Sequence, residues 1–387
     1  VYNRGMVIST TQGLQQPMKI LSRLIAGFAI LIVIAGIYGG YRLSDTSPCP
    51  QVRLQTPEGA TMMAVRQLCY GPPASLVYSQ VPIPSPGAGE MLIEVHAAGV
   101  NPLDWHTMRG SPYFMRLSSG LSTPTDPRFG VDFSGVVTAI GPGVTRFEPG
   151  DRVFGGAAGA FAQYVLVREN HAVSHLPDEI SHPQAAAVAI AGLTALQSLR
   201  DKGKLQPGQK VLINGASGGV GSFAVQIARH MGGEVYGVSS TRNVERVMAM
   251  GATRVFDYTR ESYIDSGMEF DLIVDLVGNH TPLANTSVLT PNGRLIMVGG
   301  GKGDWIGPAI GPLQALLTDP FVDQELIMLL AQLNSEDLDT LAGMIRTGAV
   351  VPVLDGRYPM AEYAEAIAYS ETGRARGKII LDINPGR

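Results

Sequence analysis

A glycine-rich turn in the middle of the chain joins an apolar strand pattern to a helical pattern. The turn reads GASGGVG over residues 215–221, between the strand pattern Val211–Asn214 and the amphipathic pattern Val220–His230. Glycines in this context permit a tight turn, and the middle pair, Gly218 and Gly219, let backbone N–H groups approach a diphosphate. The start of the helix adds unpaired N–H donors and the positive end of the helix dipole. We therefore predict a dinucleotide-binding site here.

The same residues also fit the pattern G-x-S-x-G, in which Ser217 would be the nucleophile of a hydrolase. Asp275 and His280 follow in the chain order that such a triad requires. Gly221, however, has no role in a hydrolase turn, and no HGGG-type oxyanion loop precedes it. A long region with strand patterns also comes before the turn, which argues against the hydrolase order. These features favour the dinucleotide site.

The stretch VSSTR, residues 238–242, ends the next strand pattern, Val235–Ser239. A site for NAD usually has Asp or Glu there, about 20 residues after the glycines, to bind the ribose 2′-hydroxyl. This chain instead has three hydroxyl side chains and Arg242, groups that bind a 2′-phosphate. Such a phosphate would offset the unfavourable position of a cation near a helix start. A solvated surface arginine is the alternative, and we predict NADPH as the coenzyme.

The composition limits the classes of function. Of 387 residues, 45% are hydrophobic and 16% are charged, so the chain can bury a large core and is not extensively disordered. The formal net charge of −4 argues against a general nucleic-acid binder. Two cysteines, Cys49 and Cys69, are too few for a zinc cluster or a disulfide-rich scaffold. We expect neither cysteine to have a partner.

Two regions of different rhythm must position the glycine turn. Residues 62–187 carry short β-branched runs between Pro and Gly turns, which predicts a mostly β domain. From residue 188 to about 332, apolar strands alternate with helical patterns, which predicts a doubly wound parallel sheet. Residues 333–387 return to a mixed pattern that ends in the strand Lys378–Ile383. The predicted fold class is α/β.

The N-terminal segment, residues 1–61, differs from the rest. Residues 24–41 contain no charged side chain, and as a helix they would reach about 27 Å, close to the hydrocarbon thickness of a bilayer. We expect a single-pass transmembrane helix, such as an anchor in a bacterial inner membrane, followed by a linker; a cleaved signal peptide and a buried core helix are the alternatives. The basic residues weakly favour a cytoplasmic N-terminus, whereas the coenzyme favours a cytoplasmic globular part, so the orientation stays open.

From about Met62 to Ile383 the chain resembles the zinc-free quinone oxidoreductase branch of the medium-chain dehydrogenase/reductase superfamily. Seven stretches carry the resemblance, in the family's order: HAAGVNPLDW (96–105), GVDFSGVVTAIGPGV (130–144), FEPGDRVFG (147–155), AGLTAL (191–196), VLINGASGGVGSFAVQIA (211–228), VFDYT (255–259) and ARGKIIL (375–381).

This resemblance implies a GroES-like catalytic domain over residues 62–187, completed by 333–387, and a Rossmann NADPH-binding domain over 188–332. The active site would lie in the cleft between them. The zinc branch has a metal-binding Cys where this chain has Asn101, and a His–Glu pair near Val131 and Asp132. The implied enzyme therefore needs no metal. A homodimer is a further expectation from the family.

The resemblance also implies roles for individual residues. Thr194 would lie near the nicotinamide, and Gly299 and Gly300 would end a strand beside it. The cofactor-binding set would be completed by Ser217, Gly218, Gly219 and Val220 at the diphosphate, by Ser240, Arg242 and Tyr258 at the 2′-phosphate, and by Lys378, which would reach the cofactor from near the C-terminus.

Asn101 and Asp104 are the candidates for the acceptor side of the reaction. Asn101 would orient the nicotinamide ribose or the acceptor carbonyl, and Asp104 would relay a proton. Capping of a helix that begins at Pro102 is the alternative role for Asp104. Residues 113–116, the stretch YFMR, either line the substrate entrance or pack on the surface.

Without a Lewis acid an alcohol is hard to activate, so reduction is expected. The predicted reaction transfers hydride from NADPH to a quinone or another activated carbonyl. Reduction of an enone or alkenal double bond is an alternative, and so is a membrane protein that binds NADPH without catalysis. The predicted partners are a small-molecule acceptor and a membrane, with no nucleic acid.

Overall fold

The structure is a computed structural model that describes residues 36, 38–44, 49, 58–300, 303–305 and 307–384. The chain divides into two compact units, Val1–Ser47 and Pro48–Arg387. In the first unit, residues 38–44 are helical. The transmembrane helix predicted over residues 24–41 lies outside the described residues except for 36 and 38–41. Within the described ranges, no helix combines the length and the apolar character needed to cross a bilayer.

A seven-stranded, mostly antiparallel sheet contains strands from both ends of the second unit. Its strand order is β14-β15-β3-β4-β5-β7, and β6 pairs with β3. A separate hairpin joins β1 to β2. The strands are β1 (Thr61–Gln67), β2 (Leu76–Pro82), β3 (Glu90–Val100), β4 (Asp132–Ile140), β5 (Arg152–Gly156), β6 (Tyr164–Arg168), β7 (Val173–His175), β14 (Leu354–Pro359) and β15 (Lys378–Asp382).

The helices around this sheet come from the same parts of the chain as its strands. They are α1 (Pro102–Arg109), α2 (Arg116–Ser119), α3 (His182–Ala185), α9 (Ser335–Arg346) and α10 (Tyr363–Glu371). Strand β15 pairs antiparallel with β3, with Ile379 opposite Val100 and Ile380 opposite Gly99. This register brings Lys378 beside Asn101, although the two residues are 277 positions apart in the chain.

The other sheet has six parallel strands in the order β10-β9-β8-β11-β12-β13. Its strands are β8 (Lys210–Asn214), β9 (Glu234–Ser239), β10 (Arg254–Asp257), β11 (Phe270–Asp275), β12 (Leu289–Met297) and β13 (Glu325–Met328). Its helices are α4 (Ala189–Gln197), α5 (Gly219–His230), α6 (Val244–Ala249), α7 (Pro282–Thr286) and α8 (Gly307–Thr318). The strand order reverses between β8 and β11, so the crevice for a ligand lies at their carboxyl ends.

Each sheet is buried against its own hydrophobic core. Val211, Leu212 and Ile213 of β8 are fully buried, as expected for a central strand covered on both faces. Met91, Ile93 and other residues of β3 form the centre of the antiparallel sheet's core. The α/β fold class, with a Rossmann sheet and a GroES-like β region, is confirmed. The boundaries 62–187, 188–332 and 333–387 stay predictions.

One expectation about the cysteines was wrong. Cys49 and Cys69 form a disulfide, with their Cα atoms 5.5 Å apart. Twenty positions separate the two residues, and their pairing depends on the path of the chain before β1. Local sequence patterns do not specify that path, so the residue count alone could not reveal the bond.

Candidate active site

The glycine turn follows β8 and requires glycine at two positions for different reasons. Gly215 has φ +92°, a left-handed backbone conformation that residues with a side chain rarely adopt. A side chain at Gly221 would collide with the carbonyl oxygen of Gly215 and with the backbone of Ala216. Helix α5 can therefore start directly against the end of the strand.

The start of α5 offers backbone donors for an anion. The N–H of Gly218 is bonded to the carbonyl of Gly215 at 3.1 Å, whereas those of Gly219, Val220 and Gly221 have no acceptor in the described part of the chain. A Cβ at Gly219 would contact the side chain of Lys378, with Cδ at 3.2 Å, and no backbone atom within that distance. A site with free N–H donors and an open approach fits a diphosphate.

A cavity of about 380 Å³ lies at the end of β9. It is lined by Ser240, Thr241, Arg242, Tyr258 and Arg374. Arg242 lies in a short turn before α6, and its Nη2 donates to the carbonyl of Arg374 at 3.4 Å. Two guanidinium groups and three hydroxyls around one cavity fit a phosphate monoester.

Asn243 links this cavity to the glycine turn. Its side-chain amide, which is buried, donates to Ser217 Oγ at 3.1 Å and to Ser240 Oγ at 3.3 Å. The predicted diphosphate residue Ser217 and the predicted 2′-phosphate residue Ser240 are thus held by one side chain. The spacing between the two predicted anion sites is therefore held by Asn243, a residue that was not among the predicted site residues.

A second group of predicted residues meets in a buried polar cluster. The Nζ of Lys378 donates to Asn101 Oδ1 and lies 3.1 Å from Asp132 Oδ2. Asp132 is fully buried, Lys378 is 3% exposed and Asn101 is 2% exposed. The other carboxylate oxygen of Asp132 accepts the backbone N–H of Ile190 at 3.1 Å. Asp132 was not predicted as a site residue.

Asp104 caps helix α1 and borders this cluster. Its Oδ2 accepts the backbone N–H of Asn101 at 2.7 Å, as the helix-capping alternative requires. Burial raises the pKa of Asp104 from 3.8 to about 7, and the negative charge of Asp132 acts in the same direction. The Asn101 N–H and the Lys378 ammonium oppose this shift. A carboxyl group that titrates near neutral pH can both hold and release a proton.

A cavity of about 300 Å³ adjoins Asp104. Its lining includes Leu103, Asp104 and Thr107 of α1, which follow Asn101 in the chain, and Val131, which precedes Asp132. Gln67 and Tyr70 of the hairpin region also contribute. This cavity is therefore the candidate binding site for an acceptor.

Within the stretch at residues 113–116, Arg116 is the residue that is buried. Arg116 is fully buried, and its guanidinium lies over the rings of Tyr70 and Tyr113, 4.4 and 4.9 Å from the ring centroids. The side chain of Phe114 is 48% exposed. The packing alternative therefore holds for Arg116, because cation–π contacts and bonds to the carbonyls of Gly110 and Arg109 occupy it.

The remaining predicted residues are Thr194, which lies within α4, and two glycines that follow β12. Thr194 is buried in α4, where its hydroxyl donates to the carbonyl of Ile190 at 2.6 Å. Gly299 follows β12, and its N–H donates to the carbonyl of Asp275 at 3.1 Å. Gly299 and Gly300 pack against the backbone near Gly278. Ile190 connects Thr194 to Asp132, whereas the two glycines have no direct contact with the buried cluster.

The three residues of the alternative hydrolase triad do not form a triad in the structure. Ser217 bonds to Asn243, and Asp275 Oδ1 accepts from Asn214 at 2.8 Å. The ring of His280 packs on Tyr263, with the centroids 5.1 Å apart. Ser217, Asp275 and His280 therefore serve three separate local contacts. Over the described residues, no group of three or more His, Cys, Asp or Glu side chains could hold a metal ion.

Comparison with known proteins identifies the family. The model described as the alcohol dehydrogenase GroES-like domain matches residues 87–178, and the model described as zinc-binding dehydrogenase matches residues 250–381. The chloroplastic quinone-oxidoreductase QR1 of Triphysaria versicolor is 34% identical over 349 residues, covering 84% of this chain and 99% of that protein. The chain belongs to the medium-chain dehydrogenase/reductase superfamily. It is an oxidoreductase of the quinone oxidoreductase-like branch.

Solved structures of similar proteins extend this likeness. The quinone oxidoreductase from Coxiella burnetii has a TM-score of 0.75 and 29% identity, over 84% of this chain and all of that one. A mycobacterial protein solved in complex with NADPH has a TM-score of 0.70 and 26% identity, over 83% of this chain and all of that one. The likeness to these solved structures thus covers more than four-fifths of this chain.

Three residues of this quinone oxidoreductase-like protein were missed by sequence analysis. Arg374 precedes the ARGKIIL stretch, and a basic side chain among glycines was a usable signal. Asn243 directly follows Arg242, but its link to Ser217 depends on the packing of α6. Asp132 lies where the zinc branch has ligands, and no local pattern indicated that it would hold a lysine.

Proposed function

We propose that this protein is a zinc-independent, NADPH-dependent oxidoreductase that transfers hydride to a quinone or a similar activated carbonyl. The observation that carries the NADPH assignment is the pair of hydrogen bonds from the Asn243 side chain. They connect the glycine turn to a cavity lined by two arginines. Ser217, Gly218, Gly219 and Val220 would bind the diphosphate. Ser240, Arg242, Tyr258 and Arg374 would bind the 2′-phosphate.

Bound coenzyme would supply a hydride to the acceptor. The chain's own residues would bind the acceptor in the cavity beside Asp104 and meet the charge that develops on its oxygen. Asn101 would donate an amide N–H to that oxygen, since a fixed donor stabilises an oxyanion in a water-poor site. Asp104, protonated in part at neutral pH, would supply the proton from its carboxyl oxygen. Thr194, Gly299 and Gly300 would complete the nicotinamide side.

An acceptor assay separates the proposal from its alternatives. We expect NADPH consumption with 9,10-phenanthrenequinone that exceeds consumption with acrolein at equal concentration. Faster turnover of acrolein would favour the enone reductase, which requires the same coenzyme site. Calorimetric binding of NADPH without turnover of either compound would favour the non-catalytic protein. No heat with NADPH would contradict the coenzyme assignment itself.

The raised pKa of Asp104 predicts a specific pH dependence of stability. The native protein holds a proton on Asp104 up to about pH 7, whereas the unfolded chain releases it near pH 3.8. Stability from this group is therefore full below pH 4 and is lost as the pH rises through 7. As the pH rises from 4 to 8, the unfolding free energy of Asp104→Asn should therefore increase by roughly 2–4 kcal/mol relative to that of wild type.

Denaturant unfolding of both proteins across this pH range measures the effect. Asp126→Asn is the matched control, because Arg128 lowers the pKa of that carboxyl. Its stability relative to wild type should stay nearly constant between pH 4 and pH 8, because a carboxyl with a lowered pKa is ionised in both the native and the unfolded state over this range. A pH-independent difference for Asp104→Asn would show that Asp104 is ionised throughout in the native state and cannot supply a proton.

Two further parts of the proposal concern assembly. We propose that residues 24–41 anchor the protein to a membrane, which their uncharged sequence supports. We also propose a homodimer through the edge strand β13, where Met328 is 59% exposed beside Leu316 and Phe321, which are 73% and 86% exposed. Fractionation of cells with protease protection tests the anchor, and light scattering of the purified protein tests the dimer. Recovery of the protein in the soluble fraction would contradict the membrane anchor. A monomer at micromolar concentration would contradict the dimer.

A further inference from the structure

We propose that Lys378, fixed by Asp132, is a positioning residue that sets the orientation of the Asn101 side-chain amide. Sequence analysis had expected Lys378 to reach the coenzyme. In the structure its ammonium lies between Asp132 Oδ2 and Asn101 Oδ1. The inference rests on the proposed role of Asn101, and it states how that residue is held ready to donate.

The ion pair of Lys378 and Asp132 is rigid on both sides. Both side chains are buried, and the second oxygen of Asp132 is bonded to the N–H of Ile190 at the start of α4. A buried ion pair is weak evidence for added stability, because desolvation of two charges offsets their attraction. What the pair provides is a cation at a fixed point. That cation then constrains the one neutral side chain it contacts, Asn101.

The hydrogen bonds of Asn101 show what this constraint does. A side-chain amide has one carbonyl oxygen and two N–H donors. The oxygen accepts from Lys378, and Nδ2 donates to the carbonyl of Gly99 at 3.3 Å. The second N–H has no partner in the described ranges. A flipped amide would place its NH₂ group against the ammonium and lose both bonds, so Lys378 fixes which way the amide faces and leaves one N–H donor of Asn101 free.

The strand register explains why a residue so far along the chain does this. Ile379 of β15 is paired with Val100 of β3. Lys378, the first residue of β15, therefore lies beside Asn101, which directly follows β3. The stem of Lys378 runs past the glycine turn, with Cδ 3.2 Å from the place of a Gly219 Cβ. One side chain therefore passes the diphosphate turn and ends at the residue proposed to face the acceptor.

A double-mutant cycle in the full chain tests the proposal. The variants are Lys378→Met, Asn101→Ala and the two combined, with Asp132→Asn/Lys378→Met to remove both charges if Lys378→Met alone does not fold. We expect Asn101→Ala to lower kcat about 100-fold, in line with loss of one oxyanion donor. Lys378→Met should lower it by a similar factor, and the combined variant should be no worse than about threefold below either. Calorimetric Kd for NADPH should change less than about threefold between Lys378→Met and wild type.

A coenzyme-free readout keeps this test separate from the proposed function. In thermal melts without coenzyme, Asn101→Ala should lower Tm in the wild-type background but have little effect once Lys378 is Met, because their mutual bond is already lost. Additive Tm losses would overturn the hydrogen bond itself. Three results would each overturn the positioning role. They are kcat losses of Lys378→Met and Asn101→Ala that multiply in the combined variant, a Kd of Lys378→Met for NADPH that is raised tenfold or more, and full activity of Asp132→Asn/Lys378→Met. Coupling in Tm with no turnover by wild type would instead mean that the proposed function is wrong.

Discussion

Replacing Gly219 with valine is expected to weaken NADPH binding at least 100-fold while the protein stays folded. Gly219 lies at the first position of α5, where free N–H donors face the predicted diphosphate. The branched side chain would cover these donors and exclude the anion. Inside the protein the added Cβ would lie 3.2 Å from Lys378 Cδ and 3.7 Å from the carbonyl oxygen of Gly377, so it would not collide with the backbone of the turn. Calorimetry with NADPH and a thermal melt of the same sample measure the two effects.

Gly221→Val is the matched control, two residues further along the same helix. Its side chain would collide with the backbone at Gly215 and Ala216, neither of which can yield, so this variant should lose stability as well as binding. The pair separates obstruction of an anion from damage to the turn. Normal NADPH affinity in Gly219→Val would mean that the turn does not bind the diphosphate.

Removal of the two cavity arginines is expected to abolish the preference for the phosphorylated coenzyme. Arg242→Ala and Arg374→Ala should each weaken NADPH binding about 10- to 100-fold, because a hydrogen bond to a charged group contributes about 1.5–3 kcal/mol. The double variant should bind NADPH no more tightly than NADH. Affinity for NADH should change less than about threefold, since it lacks the phosphate that the guanidinium groups contact.

Arg246→Ala controls for movement of the chain segment that carries Arg374. Arg246 Nη1 donates to the carbonyl of Arg376 at 2.6 Å but does not line the cavity. Its replacement loosens the same segment without removing a phosphate ligand, so NADPH affinity should stay near that of wild type. Equal losses of NADPH and NADH in Arg242→Ala, measured by fluorescence titration, would exclude the phosphate role of that residue.

The parts of the fold that sequence predicted are those whose signals are local. Strand β8 is an apolar run, the turn after it has its glycines at fixed spacing, and α5 follows at once and is buried from Gly221 to Ala228. All three lie within about twenty residues, and each constrains the next. Arg242 was predicted for the same reason, since it lies in the turn just after the strand that follows this helix.

The parts that sequence did not predict depend on contacts between distant segments. Arg374 is 132 positions from Arg242, and Lys378 is 246 positions from Asp132. The direction in which Lys378 points is decided by the pairing of β15 with β3, and a one-residue slip would turn it to the opposite face. The disulfide between Cys49 and Cys69 likewise depends on where the preceding chain runs.

The antiparallel sheet has a consequence for the order of events in folding. Strand β3 lies next to β15 in that sheet, yet β15 is made only after the entire parallel sheet has been synthesised. Until then one edge of β3 has unpaired backbone groups, and Asp132 has no cation beside it. Nascent chains that stop before residue 378 should therefore expose an unpaired edge of β3 next to the unpaired Asp132 carboxylate. Chaperones and proteases recognise such a state.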